Sequence, residues 1–212
     1  MIIYGVSLSP FVRKAMAFLH EKDIDFDHQV VMPGGDDPEF RECSPFGKIP
    51  GFRDGDFTLS DSTAIAHYVE SKFPEPALIP SDPEARAKAI WFDEFGDTML
   101  VPAGGAIFFN RVVASMMGQE GDEAAAVTAE QETLPPLLDY LEGLLAGDPD
   151  YLVGDSITLA DIAVAAPFKN LEYGKAAIDW DAYPKTRAYT DRILGRDSFA
   201  KILAMDAAMM GG

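Results

Sequence analysis

Two stretches of the chain hold side chains with an evident chemical use. In Ser7-Leu8-Ser9-Pro10-Phe11, two hydroxyls stand just ahead of a proline placed for the first turn of a helix. A serine hydroxyl is far too weak an acid to serve as a base at neutral pH. Its use is to donate a hydrogen bond to an anion, or to cap the helix, and capping is the simpler account of Ser9 taken alone. The second stretch contains Lys48-Ile49-Pro50 and Asp61-Ser62. A carboxylate followed by a helix start can pair with an amine and bind an anion on the free N–H groups. Ser60 and Asp61 are also good caps, and the two roles are compatible. Lys48 by itself reads as a solvated lysine, and Pro50 by itself as the start of an edge strand.

These residues need elements to position them. Ile2–Tyr4 reads as a short buried strand. Pro10 through Lys22 reads as a helix with Phe11, Ala15, Phe18 and Leu19 on its apolar face. Phe26–Met32 reads as a second strand, Pro33–Asp37 as a loop and Pro38–Cys43 as a short helix. Asp54-Gly55 marks a hairpin between Gly51–Arg53 and Phe57–Leu59, and a helix follows from Ser60 or Asp61 to about Lys72. The order is βαβ, then α, then ββα. The proline-rich segment 73–83 reads as a stiff boundary. Beyond it every pattern is helical: 84–117 with a kink or break at Pro102 and Gly104-Gly105, 123–146 with a bend at Pro135-Pro136, then 159–173, 184–194 and 198–208. The expected division is an α/β domain over 1–74, a linker over 75–83 and an all-α domain over 84–212. Thr158 and Asp161 have the spacing of a capping box, with Ile157 and Ile162 as its hydrophobic staple.

The chain has 212 residues and a net charge of −18, with a pI near 4.3. That charge repels phosphate backbones and anionic lipid, so nucleic acid and membrane surfaces are poor partners. No unbroken apolar run reaches the roughly 18 residues of a membrane span. The N-terminus lacks a basic stretch followed by an apolar one, so no secretory leader is expected, and the expected location is the cytoplasm. The single cysteine, Cys43, excludes an intrachain disulfide and a CxxC pair, and reads as a small core residue. His20, His28 and His67 have no ligand spacing, so no metal is expected. Phosphate-binding glycine motifs are missing, which leaves nucleotide binding without support.

Taken together, Ile2–Gly5, Ser7–Phe11, PFGKIPGFRDGDFTLSDSTAIAHYV (45–69) and VGDSITLADIAVA (153–165) resemble the soluble glutathione transferase superfamily of the serine type. The resemblance covers nearly the whole chain. It implies a thioredoxin-like domain followed by an all-helical one, with glutathione as co-substrate. It implies a cis bond before Pro50 that turns the backbone of Ile49 outward to pair with the cysteinyl residue, a miniature strand addition. Asp61 would receive the γ-glutamyl ammonium and Ser62 the γ-glutamyl carboxylate, while Lys48 would face the glycyl end. The family more often has Glu where this chain has Asp61.

Ser9 is then the candidate catalytic residue, donating to the glutathione thiolate. Ser7 is its main rival, and Tyr4 a weaker one. The magnitudes are sufficient without a separate base. Lowering a thiol from ~8.5 by two units requires roughly 2.7 kcal/mol. A hydrogen bond to a charged group supplies roughly 1.5–3 kcal/mol, and a helix N-terminus roughly 0.3–1 kcal/mol. Ser9-Pro10-Phe11 cannot form the mixed disulfide that Cys-Pro-Phe relatives use.

By the same analogy, a second-substrate pocket would lie between the domains, drawing on Leu8, Phe11, Phe108, Phe109, Arg111 and Val112. Phe46 is a candidate interface residue of a homodimer. One departure stands out: many serine-type relatives carry basic residues where this chain has Gly34-Gly35-Asp36-Asp37. Arg13, Lys14 or Arg111 could supply the missing charge. The expected activity is conjugation of glutathione to a hydrophobic electrophile. The alternatives are another glutathione-dependent enzyme (reductase, ether-cleaving enzyme, dehalogenase or isomerase) and a non-catalytic binding module.

Overall fold

The computed structural model describes residues 1–211. Two compact units account for them. One comprises Met1–Ser81 together with the C-terminal segment from Gly195, and the other comprises Asp82–Leu194.

The first unit is built on a four-stranded mixed sheet in the order β2-β1-β3-β4, with β1 at Ile2–Tyr4, β2 at Asp27–Gln29, β3 at Gly51–Asp54 and β4 at Phe57–Ser60. β1 runs parallel to β2 and antiparallel to β3, pairing Ile3 with both His28 and Phe52. Strand alternation sends Tyr4 to one face, where it packs on Phe40 and Cys43, and Ile3 to the other. Helices α1 (Pro10–Glu21), α2 (Pro38–Cys43) and α3 (Ser62–Lys72) complete the βαβ-α-ββα order. β2 is shorter than its sequence pattern suggests. It is an edge strand whose one neighbour, β1, offers only three residues, and beyond Gln29 the side chains of Val30 and Met32 are exposed. A buried lysine secures the boundary segment. The Lys22 ammonium donates to the carbonyls of Phe73 and Pro76 and pairs with Glu70 at 2.7 Å. The Glu75–Pro76 bond in that segment is cis, a feature for which the sequence carries no signal.

The second unit is helical. α4 runs unbroken from Pro83 to Met116. The expected break at Pro102 does not occur. A proline clashes with the carbonyl four residues earlier, here Thr98, and that carbonyl lies in a π-helical turn over Gly96–Leu100. The same device recurs in α5 (residues 123–144), where the carbonyls preceding Pro135 and Pro136 lie in a π turn over Ala129–Thr133. By length and composition α4 could cross a bilayer, which a search for unbroken apolar runs does not register. Here its Ala89, Phe92, Phe95, Leu100 and Ile107 are core residues. Gly96 allows close approach to the helix Leu159–Ala165, because a Cβ there would meet the Ala163 carbonyl at 2.7 Å.

The expected helix over 159–173 is two, α6 (Leu159–Ala165) and α7 (Phe168–Tyr173), since Pro167 cannot continue the first. α8 spans Pro184–Leu194. The capping box forms as its spacing requires, and more is attached to it. Asp161 accepts from the backbone N–H and hydroxyl of Thr158, from the N–H of Leu152 and from the Tyr189 hydroxyl.

The last helix, α9 (Asp197–Met209), belongs to the first unit, so the all-α unit does not extend to residue 212 as expected. Three tethers hold α9 along α1 and the loop before it. Arg196 and Ser198 bond Glu21, Asp206 pairs with Arg13, and Ser7 donates to the Met209 sulfur at 3.8 Å. None of these links is local in sequence, and no periodicity in α9 itself distinguishes its partner.

Candidate functional site

Ser9 caps α1. Its backbone is extended, and its Oγ accepts a long hydrogen bond, 3.5 Å, from the N–H of Val12. The side chain is half-buried, and its hydroxyl proton has no acceptor among the described residues. Ser7 is different: it is fully buried, and its hydroxyl is turned to Met209. Tyr4 is also buried, with its hydroxyl on Glu39 at 3.1 Å, and burial pushes its phenol above the usual range. Of the three hydroxyls considered, only that of Ser9 is both accessible and free to donate.

The segment before β3 is anchored from two sides. Ser44 donates to the Lys48 carbonyl at 2.6 Å, and the N–H groups of Gly47 and Gly34 bond Ser44 and Gly47 in turn. Arg41 donates to the carbonyls of Gly34, Gly35 and Pro45, closing the glycine loop onto this turn. The closure needs Gly47, which sits at φ +68 with Gly34 and the Arg41 guanidinium about where a Cβ would point. The Ile49–Pro50 bond is cis. The backbone N–H and C=O of Ile49 have no hydrogen-bond partner among the described residues. Lys48 and Phe46 are both exposed, Phe46 to 90%.

Asp61 caps α3, accepting from the N–H of Ala64 through Oδ1 at 2.9 Å, while Oδ2 has no partner among the described residues. Its φ is +85, a conformation rare for a residue with a Cβ and often found at ligand sites. Nothing in the sequence signals this, beyond the tolerance of aspartate for positive φ. Ser62, next in the chain, is buried at the first turn of α3. The ammonium of Lys14, itself buried, bonds the Thr63 hydroxyl at 3.0 Å and so ties α1 to the first turn of α3.

The missing basic clamp is not restored by the residues considered for it. Asp37 is the cap of α2, accepting from the N–H of Phe40. Arg13 is fully buried on Asp206, and Lys14 on Thr63. Arg111 directs its fork onto Glu123 and Glu130 within the second unit, with a further bond to the Gly174 carbonyl. Of the proposed pocket residues, Leu8 is buried and Phe11 half-buried in the first unit; Phe108 is buried, Val112 half-buried and Phe109 exposed in the second. Cys43 is buried with its thiol pushed up, first by burial, and is inert. No group of His, Cys, Asp or Glu able to hold a metal occurs among the described residues.

In chemical terms, the first unit offers a helix-capping hydroxyl, an unpaired strand-edge backbone and a carboxylate beside a second helix N-terminus. These suit an extended peptide with a thiolate, an ammonium and a carboxylate. Residues 3–77 match the glutathione S-transferase N-terminal domain and residues 108–206 the glutathione S-transferase C-terminal domain. A glutathione S-transferase of Hyoscyamus muticus is 34% identical over 209 residues, covering 96% of this chain and 97% of its own. Glutathione transferase F7 of Populus trichocarpa superposes with a TM-score of 0.84 at 28% identity, over 96% of this chain and 98% of its own. A glutathione S-transferase-I structure bound with lactoylglutathione gives 0.85 at 26% identity, over the same shares. The chain belongs to the glutathione S-transferase family.

Proposed function

We propose that this transferase works as a serine-type enzyme, with Ser9 donating to the glutathione thiolate, which attacks a hydrophobic electrophile. The thiol loses its proton to solvent, and the new carbon–sulfur bond forms as the leaving group departs or the acceptor bond opens. Ser9 and the α1 N-terminus lower the thiol's pKa and so favour the thiolate. Ile49 pairs with the cysteinyl backbone. Asp61 receives the γ-glutamyl ammonium on Oδ2, the α3 N-terminus and Ser62 receive the γ-glutamyl carboxylate, and Lys48 faces the glycyl end. The observation that carries the reading is the contrast between Ser9, accessible with its proton uncommitted, and Ser7, buried on Met209.

On the first unit, Leu8 and the half-buried Phe11 stand beside Ser9 in the chain and supply apolar surface for the electrophile. Phe46, exposed to 90%, is the anchor of a homodimer. The site of action is the cytoplasm. Glutathione affinity is modest, because the glycine loop carries Asp36 and Asp37 where a cation would help.

The test is calorimetric titration with glutathione, followed by product analysis with an aryl halide. The expected result is saturable heat and a thioether conjugate. No heat at millimolar glutathione would overturn the assignment of the peptide site. Oxidised glutathione in place of a conjugate would move the activity to reduction.

A further inference from the structure

One arginine is bonded directly to the glycine loop that lacks a cation of its own. Arg41, half-buried on α2, donates through Nε to the Gly35 carbonyl at 2.6 Å, through Nη2 to that of Gly34 at 2.6 Å and through Nη1 to that of Pro45 at 3.4 Å. Three of the five N–H groups of the guanidinium are thereby used, and one on each Nη has no acceptor among the described residues. The charge is not neutralised either. Carbonyls are only dipoles, and no carboxylate stands within ion-pair distance of Arg41 among the described residues, although the chain has 35 acidic residues to 17 basic ones. The nearest acids in sequence are committed elsewhere: Asp37 caps α2, Glu39 accepts from Tyr4, and Glu42 pairs with Arg53 at 2.6 Å.

We propose that Arg41 supplies the cation of the glycyl end and, together with Lys48, receives the glycyl carboxylate of glutathione. The inference rests on the glutathione reading above and adds a residue to it. In that reading the cysteinyl backbone lies on Ile49 and the glycyl end at Lys48, so the peptide runs toward Gly47, each residue of extended chain advancing about 3.3 Å. A Cβ on Gly47 would stand 2.9 Å from Arg41 Nη1, which puts the guanidinium against the residue just ahead of Lys48. A carboxylate there accepts charge-assisted bonds from the remaining Nη–H groups. The three carbonyl bonds hold the guanidinium in place beforehand, so little rotamer freedom is lost when the ligand arrives. Arg41 touches neither the sulfur nor the electrophile in this scheme.

The test is calorimetric titration of the full-length chain with glutathione and with its monoethyl ester, whose glycyl carboxylate is esterified and uncharged. The parent should bind the ester about thirtyfold more weakly. Arg41→Met should raise Kd for glutathione about tenfold and Kd for the ester less than about twofold, and Arg41→Lys should recover part of the loss. An arginine that only holds the loop would, when replaced, weaken both ligands alike. Equal losses with the two ligands, or a glutathione Kd within about twofold of the parent, would therefore overturn the proposal. Where Arg41→Met does not fold, Lys48→Met, at an exposed position, decides the matter. It should still prefer the free acid by about tenfold, whereas complete loss of the preference would assign the carboxylate to Lys48 alone and overturn the role of Arg41. A parent that gives no heat with glutathione removes the site assignment and this inference together. A parent that binds the acid and the ester equally removes only the inference.

Discussion

Arg13 and Asp206 lie 193 positions apart and meet at 2.7 Å, both side chains fully excluded from solvent. The pair joins the helix that carries Ser9 to the last helix of the chain. Removing one partner takes from a buried charge the opposite charge at 2.7 Å, at a cost of about 3–5 kcal/mol. Asp206→Asn and Arg13→Met should each destabilise by that order in urea unfolding. The double variant Arg13→Met/Asp206→Leu should cost less than the sum of the two single losses, because the contact between the two residues is then lost only once. Single variants within about 1 kcal/mol of the parent would show that the pair does not hold α9 to α1.

Ser9→Ala removes the donor proposed for the thiolate. The thiol pKa of bound glutathione should shift upward by about one to two units, and kcat/KM near neutrality should fall about 10–100-fold. The alkaline limb of the pH–rate profile recovers part of the loss, since hydroxide then supplies the thiolate. Ultraviolet difference spectra of bound glutathione against pH measure the shift directly. Ser7→Ala should leave the ionisation where it is. The opposite ranking of the two variants would transfer the role to Ser7.

Asp61→Asn separates capping from charge. The amide oxygen still accepts from the N–H of Ala64, and asparagine also tolerates φ +85. Stability should change by less than about 0.5 kcal/mol, while KM for glutathione rises about tenfold through loss of the ammonium's partner. Asp61→Ala should lose the cap as well, about 1 kcal/mol, in addition to the binding defect. An unchanged KM in Asp61→Asn would remove Asp61 from the ligand contacts.

Glu21 gives a pH dependence of known sign. Burial pushes its carboxyl up, but hydrogen bonds from Arg196 and Ser198 outweigh burial and leave it below its ordinary 4.5. A carboxyl depressed by folding contributes fully above its unfolded value and loses that contribution as pH falls through its folded one. Thermal melts should therefore show Glu21→Gln less stable than the parent at neutral pH, with the gap closing below about pH 4.5. A gap that stays constant down to about pH 3 would show that the ionised form is not what stabilises this contact.

Much of the architecture was legible in the sequence because it is local. Pro10 after Ser9, the Thr158–Asp161 box, the Asp54-Gly55 hairpin and the apolar stripe of α1 each depend on residues a few positions apart, where helix and strand periods act directly. The stretch around Ile49-Pro50 and Asp61-Ser62, on which the proposed peptide half of the site rests, is local in the same sense. Tertiary structure decided what depends on distant partners. It buried Ser7 on Met209 and left Ser9 open, where sequence had kept Ser7 as the rival to Ser9. It turned Arg13, Lys14 and Arg111 from candidate ligand contacts into internal ties, because a cation's role is set by which carboxylate or hydroxyl the fold brings to it. It assigned α9 to the first unit through Glu21, Arg13 and Ser7, contacts that arise only once the chain has returned across its full length.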